Sequence, residues 1–218
     1  MDSVKSIVTL QNLCFSYEKD KVLENISFEI PRGSYIALVG PNGVGKSTLL
    51  KLICGLKKPN SGTVQIATDK ISYLSQLDVD KSIRYPLNVR EIVSLGLRNG
   101  PFSFMRHEDW VTVDNWLTMF GLNEFEKRKL SELSGGQQQK ARLAKCLISE
   151  PDLLLLDEPD TGIDEKSRED IRSILRHLNK EHGMTIILVS HRPEEYGEDC
   201  TMVALSENAL KEVRHDLA

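Results

Sequence analysis

Residues Gly40 to Ser47 follow the pattern G-x-x-x-x-G-K-S, and no other feature constrains the fold so tightly. Just upstream, Tyr35-Ile36-Ala37-Leu38-Val39 is an unbroken apolar run, the pattern of a strand buried on both faces. Just downstream, Lys46 to Leu56 has helical spacing, with Leu49, Leu50, Ile53 and Leu56 on one side. Glycines 40, 43 and 45 allow the backbone to curl so that successive N–H groups converge on phosphate oxygens. The helix start adds its partial positive charge. Gly40, Pro41, Asn42, Gly43, Val44, Gly45, Lys46, Ser47 and Thr48 are therefore the expected nucleotide grip. Lys46 is expected to reach the β- and γ-phosphates, and the Ser47 hydroxyl to ligate Mg2+. A glycine-rich turn before an ordinary helix is the plainer alternative; the strand and helix that flank the loop argue against it.

The remaining chain alternates in character. Ile7-Val8-Thr9-Leu10, Leu13-Cys14-Phe15 and Ile26 to Ile30 read as strands, with a turn at Glu18 to Lys21 and another at Pro31-Arg32-Gly33. Thr63 to Ile66 and Ile71 to Leu74 follow as short strands. From about Asp78 to Glu150 strand-like runs vanish, and helical periodicity appears in Val89 to Leu97, Trp110 to Phe120 and Gln137 to Ile148. Leu153 to Leu156 resumes the buried-strand pattern. A helix at Lys166 to His182, strands at Thr185 to Val189 and Met202 to Leu205, and a hairpin ending near Val213 complete the chain. Strand–helix alternation at both ends predicts an α/β protein with a parallel core. The division expected is a core of residues 1–77 and 151–218 with a helical insertion at 78–150.

Leu153-Leu154-Leu155-Leu156-Asp157-Glu158 ends four apolar residues in two carboxylates. In a parallel sheet the C-terminal strand ends line the ligand crevice. Asp157 is placed to hold the Mg2+ shell and Glu158 to polarise an attacking water. A surface Asp-Glu pair opening a turn before Pro159 is the alternative, and the glycine loop weighs against it.

Leu133-Ser134-Gly135-Gly136-Gln137 settles the resemblance. With the two motifs above, and in the same order along nearly the whole chain, it resembles the signature of the ATP-binding subunits of ABC transporters. Ser134 can cap a helix whose two leading glycines expose N–H groups to an anion. The resemblance implies a P-loop NTPase (RecA-like) core with an N-terminal antiparallel β subdomain and an inserted α-helical subdomain, binding ATP and Mg2+. It implies that Tyr17 stacks on adenine, that Gln76 senses Mg2+ and a membrane partner, and that Asp164 is the D-loop aspartate. It further implies that His191 contacts the γ-phosphate as the switch histidine, making Glu158, His191 and Gln76 the catalytic group. Ser134, Gly135, Gly136 and Gln137 of one subunit are then expected to cover ATP held by another, in a head-to-tail homodimer or an equivalent pair. Two residues depart from the family pattern: Asp160, where Thr or Ser is commoner, adds negative charge near the expected dimer interface, and Arg192 stands where Asp is common.

Composition bounds the setting. The net charge of −4, from 32 acidic and 28 basic residues, gives no electrostatic reason to expect nucleic acid. No apolar run approaches the ~20 residues that span a bilayer, and Met1 to Lys5 lacks the opening of a secretory signal. The four scattered cysteines form no metal-ligand spacing with the five histidines and fit free thiols in a reducing compartment. The expectation is a cytoplasmic protein, held at the inner face of the membrane by separate permease subunits, with an extracytoplasmic binding protein in the same system. Gln76 to Val89, running on through Val93-Ser94-Leu95-Gly96-Leu97, is similar to the importer branch that serves zinc, manganese or chelated iron. Transport of another small solute remains open on these residues, as does a non-transport ABC ATPase of cofactor assembly; intact Glu158 and His191 speak against a binding module without turnover.

Overall fold

The structure is a computed structural model that describes residues 6–76, 87–97 and 105–213. Two compact units divide the chain.

The first unit takes in residues up to Tyr73, Asp152–Pro159 and those from Leu175 onward. Two sheets form it. In the three-stranded antiparallel sheet, β1 (Ser6–Tyr17) lies between β2 (Asp20–Pro31) and β4 (Ser61–Ile66). The break expected between Leu10 and Leu13 does not occur. The register shifts there and Asn12 takes φ 48°, so the polar pair Gln11-Asn12 is absorbed as an irregularity inside one continuous strand. The second sheet has six strands in the order β5-β6-β7-β3-β8-β9, with β5 at Ile71–Leu74, β6 at Leu153–Asp157, β7 at Thr185–Val189 and β3 at Tyr35–Val39. Strands β8 (Thr201–Ser206) and β9 (Ala209–Val213) close it as an antiparallel hairpin, while β6, β7, β3 and β8 run parallel.

Every residue of β6 and β7 is buried, as their near-continuous apolar sequences require of strands covered on both faces. Helix α1 (Lys46–Ile53) follows β3 and sends Leu49, Leu50 and Ile53 into the same core as Leu38, Leu155 and Ile187. It is shorter than its periodicity suggests. Gly55 adopts φ 75° and turns the chain, leaving Leu56 exposed rather than on the buried face.

The second unit comprises Leu74–Pro151 and Asp160–Ile174. Its helices are α2 (Val89–Ser94), α3 (His107–Met119) and α4 (Gly135–Leu147), together with the first turns of α5 (Glu165–His182). Asn88 caps α2 in a reciprocal box with Glu91, which fixes where that helix begins. Helix α2 packs on both α3 and α4, and Val89, Val93, Val113, Leu117, Leu143 and Leu147 on these helices are all fully buried or nearly so. Among the described residues no helix is long and apolar enough to cross a membrane.

Candidate functional site

Three neighbouring parallel strands deliver the expected chemistry at their C-terminal ends, where ligands of open α/β sheets bind. Strand β3 leads into the glycine loop, β6 ends in Asp157, and β7 leads into Ser190-His191. The loop closes on itself. Lys46 is only 9% exposed, and its ammonium donates to the carbonyls of Gly40 at 2.7 Å and Pro41 at 2.9 Å. A phosphate entering the loop can take over these bonds, because an ammonium loses nothing by trading a neutral acceptor for an anionic one. Gly45 caps α1 at φ 105°, and a Cβ there would stand 2.7 Å from Val22 Cγ1. Glycine is therefore required at this position on two counts, backbone and space.

Ser47 and Asp157 meet. The Ser47 hydroxyl donates to Asp157 Oδ1 at 2.8 Å, and the Tyr73 hydroxyl donates to Oδ2 at 3.2 Å, so both oxygens of this buried carboxylate are held. Nothing in the sequence points to Tyr73. It stands in an ordinary alternating strand, and its hydroxyl finds a carboxylate eighty-four residues away. Glu158 and His191 also meet, with Glu158 Oε1 and His191 Nε2 3.0 Å apart, a hydrogen bond when the proton sits on Nε2. The Glu158 side chain is 15% exposed and that of His191 53%, so this pair looks into solvent from one side. Glu158 has φ 54°, in the left-handed region, and its N–H donates to Val189 O at 3.0 Å.

Tyr17 ends β1 as an exposed ring. Its hydroxyl lies 3.3 Å from Thr48 Oγ1 in the first turn of α1. Burial there pushes the phenol up; the bond with Thr48 and the charge of Lys57 act the other way and together leave it below its ordinary value.

The other expected residues belong to the second unit. Gln76 lies two positions past β5 and is exposed. Ser134 caps α4 in a reciprocal box: its hydroxyl accepts from the Gln137 N–H at 3.3 Å, and Gln137 Oε1 accepts from the Ser134 N–H at 3.0 Å. Asp164 caps α5 by accepting from the Ser167 N–H at 3.0 Å and the Ser167 hydroxyl at 2.7 Å. These two helix starts touch. A Cβ on Gly136 would lie 3.0 Å from Asp164 Oδ2 and closer still to Ser167, so only glycine fits there.

The two departures also have places. Asp160 is 8% exposed, which holds its charge inside the second unit rather than on a surface. Arg192 pairs with Glu195 at 3.1 Å, and its N–H donates to Ser190 Oγ.

A family model of the ABC transporter matches residues 23–161, from within β2 through the acidic strand end. The chain is a member of the ABC transporter ATP-binding family. It is 36% identical over 199 residues to the zinc uptake system ATP-binding protein ZurA of Listeria monocytogenes, covering 86% of this chain and 77% of that protein. It is equally 36% identical over 199 residues to the high-affinity zinc uptake system ATP-binding protein ZnuC of Bacillus subtilis, covering 87% and 86%. Among solved structures it superposes with a TM-score of 0.79 on an ATP-binding cassette in a dimeric post-hydrolysis state bound to ADP and phosphate. There the identity is 28% over 95% of this chain and 98% of that one. The α/β architecture is that of the ABC ATPases, and the chain is an ATP-binding, ATP-hydrolysing member of the family. Residues 77–86, which carry part of the likeness to metal importers, lie outside the described residues.

Proposed function

We propose that this chain is the ATP-hydrolysing subunit that drives a separate membrane permease, importing zinc, manganese or chelated iron. The observation that carries the hydrolytic half is the pair of contacts at the ends of three neighbouring strands, Ser47 with Asp157 and Glu158 with His191. The cargo rests on the zinc uptake relatives, similar over more than four-fifths of the chain.

Lys46 and the N–H groups from Asn42 to Thr48 grip the triphosphate, and Tyr17 stacks on the base. Mg2+ fits the donors present: a hydroxyl and a buried carboxylate, both hard oxygens, stand 2.8 Å apart. No group of three or more His, Cys, Asp or Glu side chains suited to a metal exists among the described residues. A two-donor site of this kind suits an ion that keeps waters and takes its other ligands from phosphates. Ser47 and Asp157 would hold the ion, which when bound would neutralise charge on the triphosphate. Tyr73 orients the Asp157 carboxylate through Oδ2. Glu158 accepts the proton of the attacking water. His191, within hydrogen-bond distance of Glu158, would present its ring to the γ-phosphate as the switch histidine. Ser134 to Gln137, with Asp164, face the nucleotide of a second subunit, so hydrolysis requires a head-to-tail dimer. The domain assignment follows from the same reading: residues 1–77 and 151–218 carry the grip, and 78–150 carry the lobe that meets the permease. The assembled subunit sits on the cytoplasmic face, held there by the permease and served by an extracytoplasmic binding protein.

Reconstitution with permease and binding protein tests both halves together. ATP turnover should rise when the binding protein is loaded with zinc, manganese or chelated iron. Glu158→Gln should retain ATP binding and lose at least ~10²-fold in turnover, the usual contribution of a general base. Turnover unchanged in Glu158→Gln refutes the catalytic assignment, and indifference to every metal load refutes the cargo.

A further inference from the structure

Tyr17 is held at more points than a simple stacking platform needs. Its hydroxyl meets Thr48, and its ring lies edge to face with Phe15, centroids 4.9 Å apart at 87°. Phe15 is nearly buried, so it anchors the tyrosine to the core of the first unit. The third restraint is a cation. Lys57 Nζ stands 4.4 Å from the centre of the Tyr17 ring and 5.5 Å from that of Phe15. Lys57 reaches this position because Gly55 turns the chain after α1 and the Lys57 N–H donates to Lys51 O at 3.1 Å. It therefore approaches the ring from the C-terminal end of α1, whereas the phosphate loop lies at the N-terminal end.

We propose that Lys57 is a positioning residue of the ATP site, closing one face of the Tyr17 ring and fixing the other face for the nucleotide base. The inference rests on reading Tyr17 as the base platform. A tyrosine at the end of a strand with 41% of its surface exposed would otherwise sample other rotamers, and ATP would bear the cost of ordering it. An ammonium over the ring removes that cost before the nucleotide arrives, and it draws ring density away from the face that meets the electron-rich base. Both effects act on the base alone. A general attraction between Lys57 and phosphate would act equally on any triphosphate.

Equilibrium binding of ATP and of inorganic tripolyphosphate to the full chain separates these cases, with Lys57→Met, Lys57→Arg and Tyr17→Ala as variants. Lys57→Met should weaken ATP about two- to fivefold and leave tripolyphosphate unchanged, and Lys57→Arg should restore ATP affinity, since a guanidinium also stacks on aromatic faces. Tyr17→Ala should weaken ATP at least as much, again without effect on tripolyphosphate. Equal weakening of both ligands by Lys57→Met overturns the proposal in favour of plain charge attraction. So does tighter ATP binding, which would make the ammonium an obstruction, and so does no change while Tyr17→Ala still weakens ATP. No effect of Tyr17→Ala on ATP removes the base-platform reading itself, and the Lys57 proposal with it.

Discussion

Gly136 stands where the start of the signature helix α4 meets the start of α5, and replacing it with alanine sets two known quantities against each other. Alanine is the better helix former by about 1 kcal/mol, so an unobstructed site would be stabilised. The site is obstructed. A Cβ at Gly136 would stand 2.6 Å from Ser167 Cβ and 3.0 Å from Asp164 Oδ2. The Ser167 hydroxyl, nearer still, can rotate away, but only by giving up its 2.7 Å bond to Asp164. Its Cβ cannot rotate away, so one helix start must shift relative to the other. Overpacking of this kind costs about 1–3 kcal/mol and the lost hydrogen bond roughly 1 more. Against the propensity gain, Gly136→Ala should lose about 1–3 kcal/mol, a fall in Tm of roughly 3–10 °C for a chain of this length. Thermal unfolding followed by circular dichroism measures it. In a Ser167→Gly background the obstruction is gone, so most of the alanine penalty should disappear, a coupling of about 1–3 kcal/mol between the two positions. A penalty of equal size in both backgrounds, or a stabilised Gly136→Ala, would refute the steric argument.

Two pH-dependent effects follow from the side-chain environments of Asp164 and Cys200. The Ser167 hydroxyl, and after it the Ser167 backbone N–H, hold the Asp164 carboxyl below its ordinary value of 3.8. A depressed folded value stabilises above the ordinary one and is lost as pH falls below it, so Asp164→Asn should lower stability at neutral pH and flatten its acid limb; an acid limb as steep as wild type in urea titrations would sink this. Burial pushes the Cys200 thiol up from 9.0 to about 12. Its contribution is therefore complete below pH 9.0 and declines as pH rises toward 12, because the unfolded thiol ionises first. Cys200 should resist thiol reagents in the native chain until unfolding exposes it, and labelling of native Cys200 as fast as an exposed thiol would contradict its burial.

What the sequence made legible was local. The strand–loop–helix around Gly40 to Ser47 carries its own periodicity and turn chemistry, so β3 and the start of α1 fall where the pattern puts them. Ser134 with Gln137 three residues on is likewise a capping box written in sequence, and α4 starts from it, two residues earlier than apolar periodicity alone suggests. Contacts between distant segments were not legible. Tyr73 on Asp157 and Lys57 on Tyr17 arise because sheet order and a helix-ending glycine bring remote positions together, and neither residue type announces a partner. Leu56 shows the converse. Its apolar character fitted the helical stripe, yet a positive φ at Gly55 ended the helix first.

The geometry of Glu158 joins the local reading to the distant one. A glutamate in the left-handed region costs on the order of 1–2 kcal/mol relative to ordinary backbone. That conformation persists because β6 and β7 are paired up to Asp157 and Val189, and the Glu158 N–H then extends the pairing by donating to Val189 O. His191 follows Val189 by two residues on the same strand end, so the bond that holds the glutamate in its costly conformation ties it to the segment that carries its partner. The pair is thereby set by strand register rather than by side-chain flexibility. A one-residue slip of β7 against β6 would turn its alternating side chains to the other face and separate the two groups. The fully buried faces of both strands oppose such a slip, since it would reorder every core contact the two strands make. The catalytic contact of the proposed hydrolysis thus depends on Leu153 to Leu156 and Ile186 to Val189, none of which need touch the nucleotide.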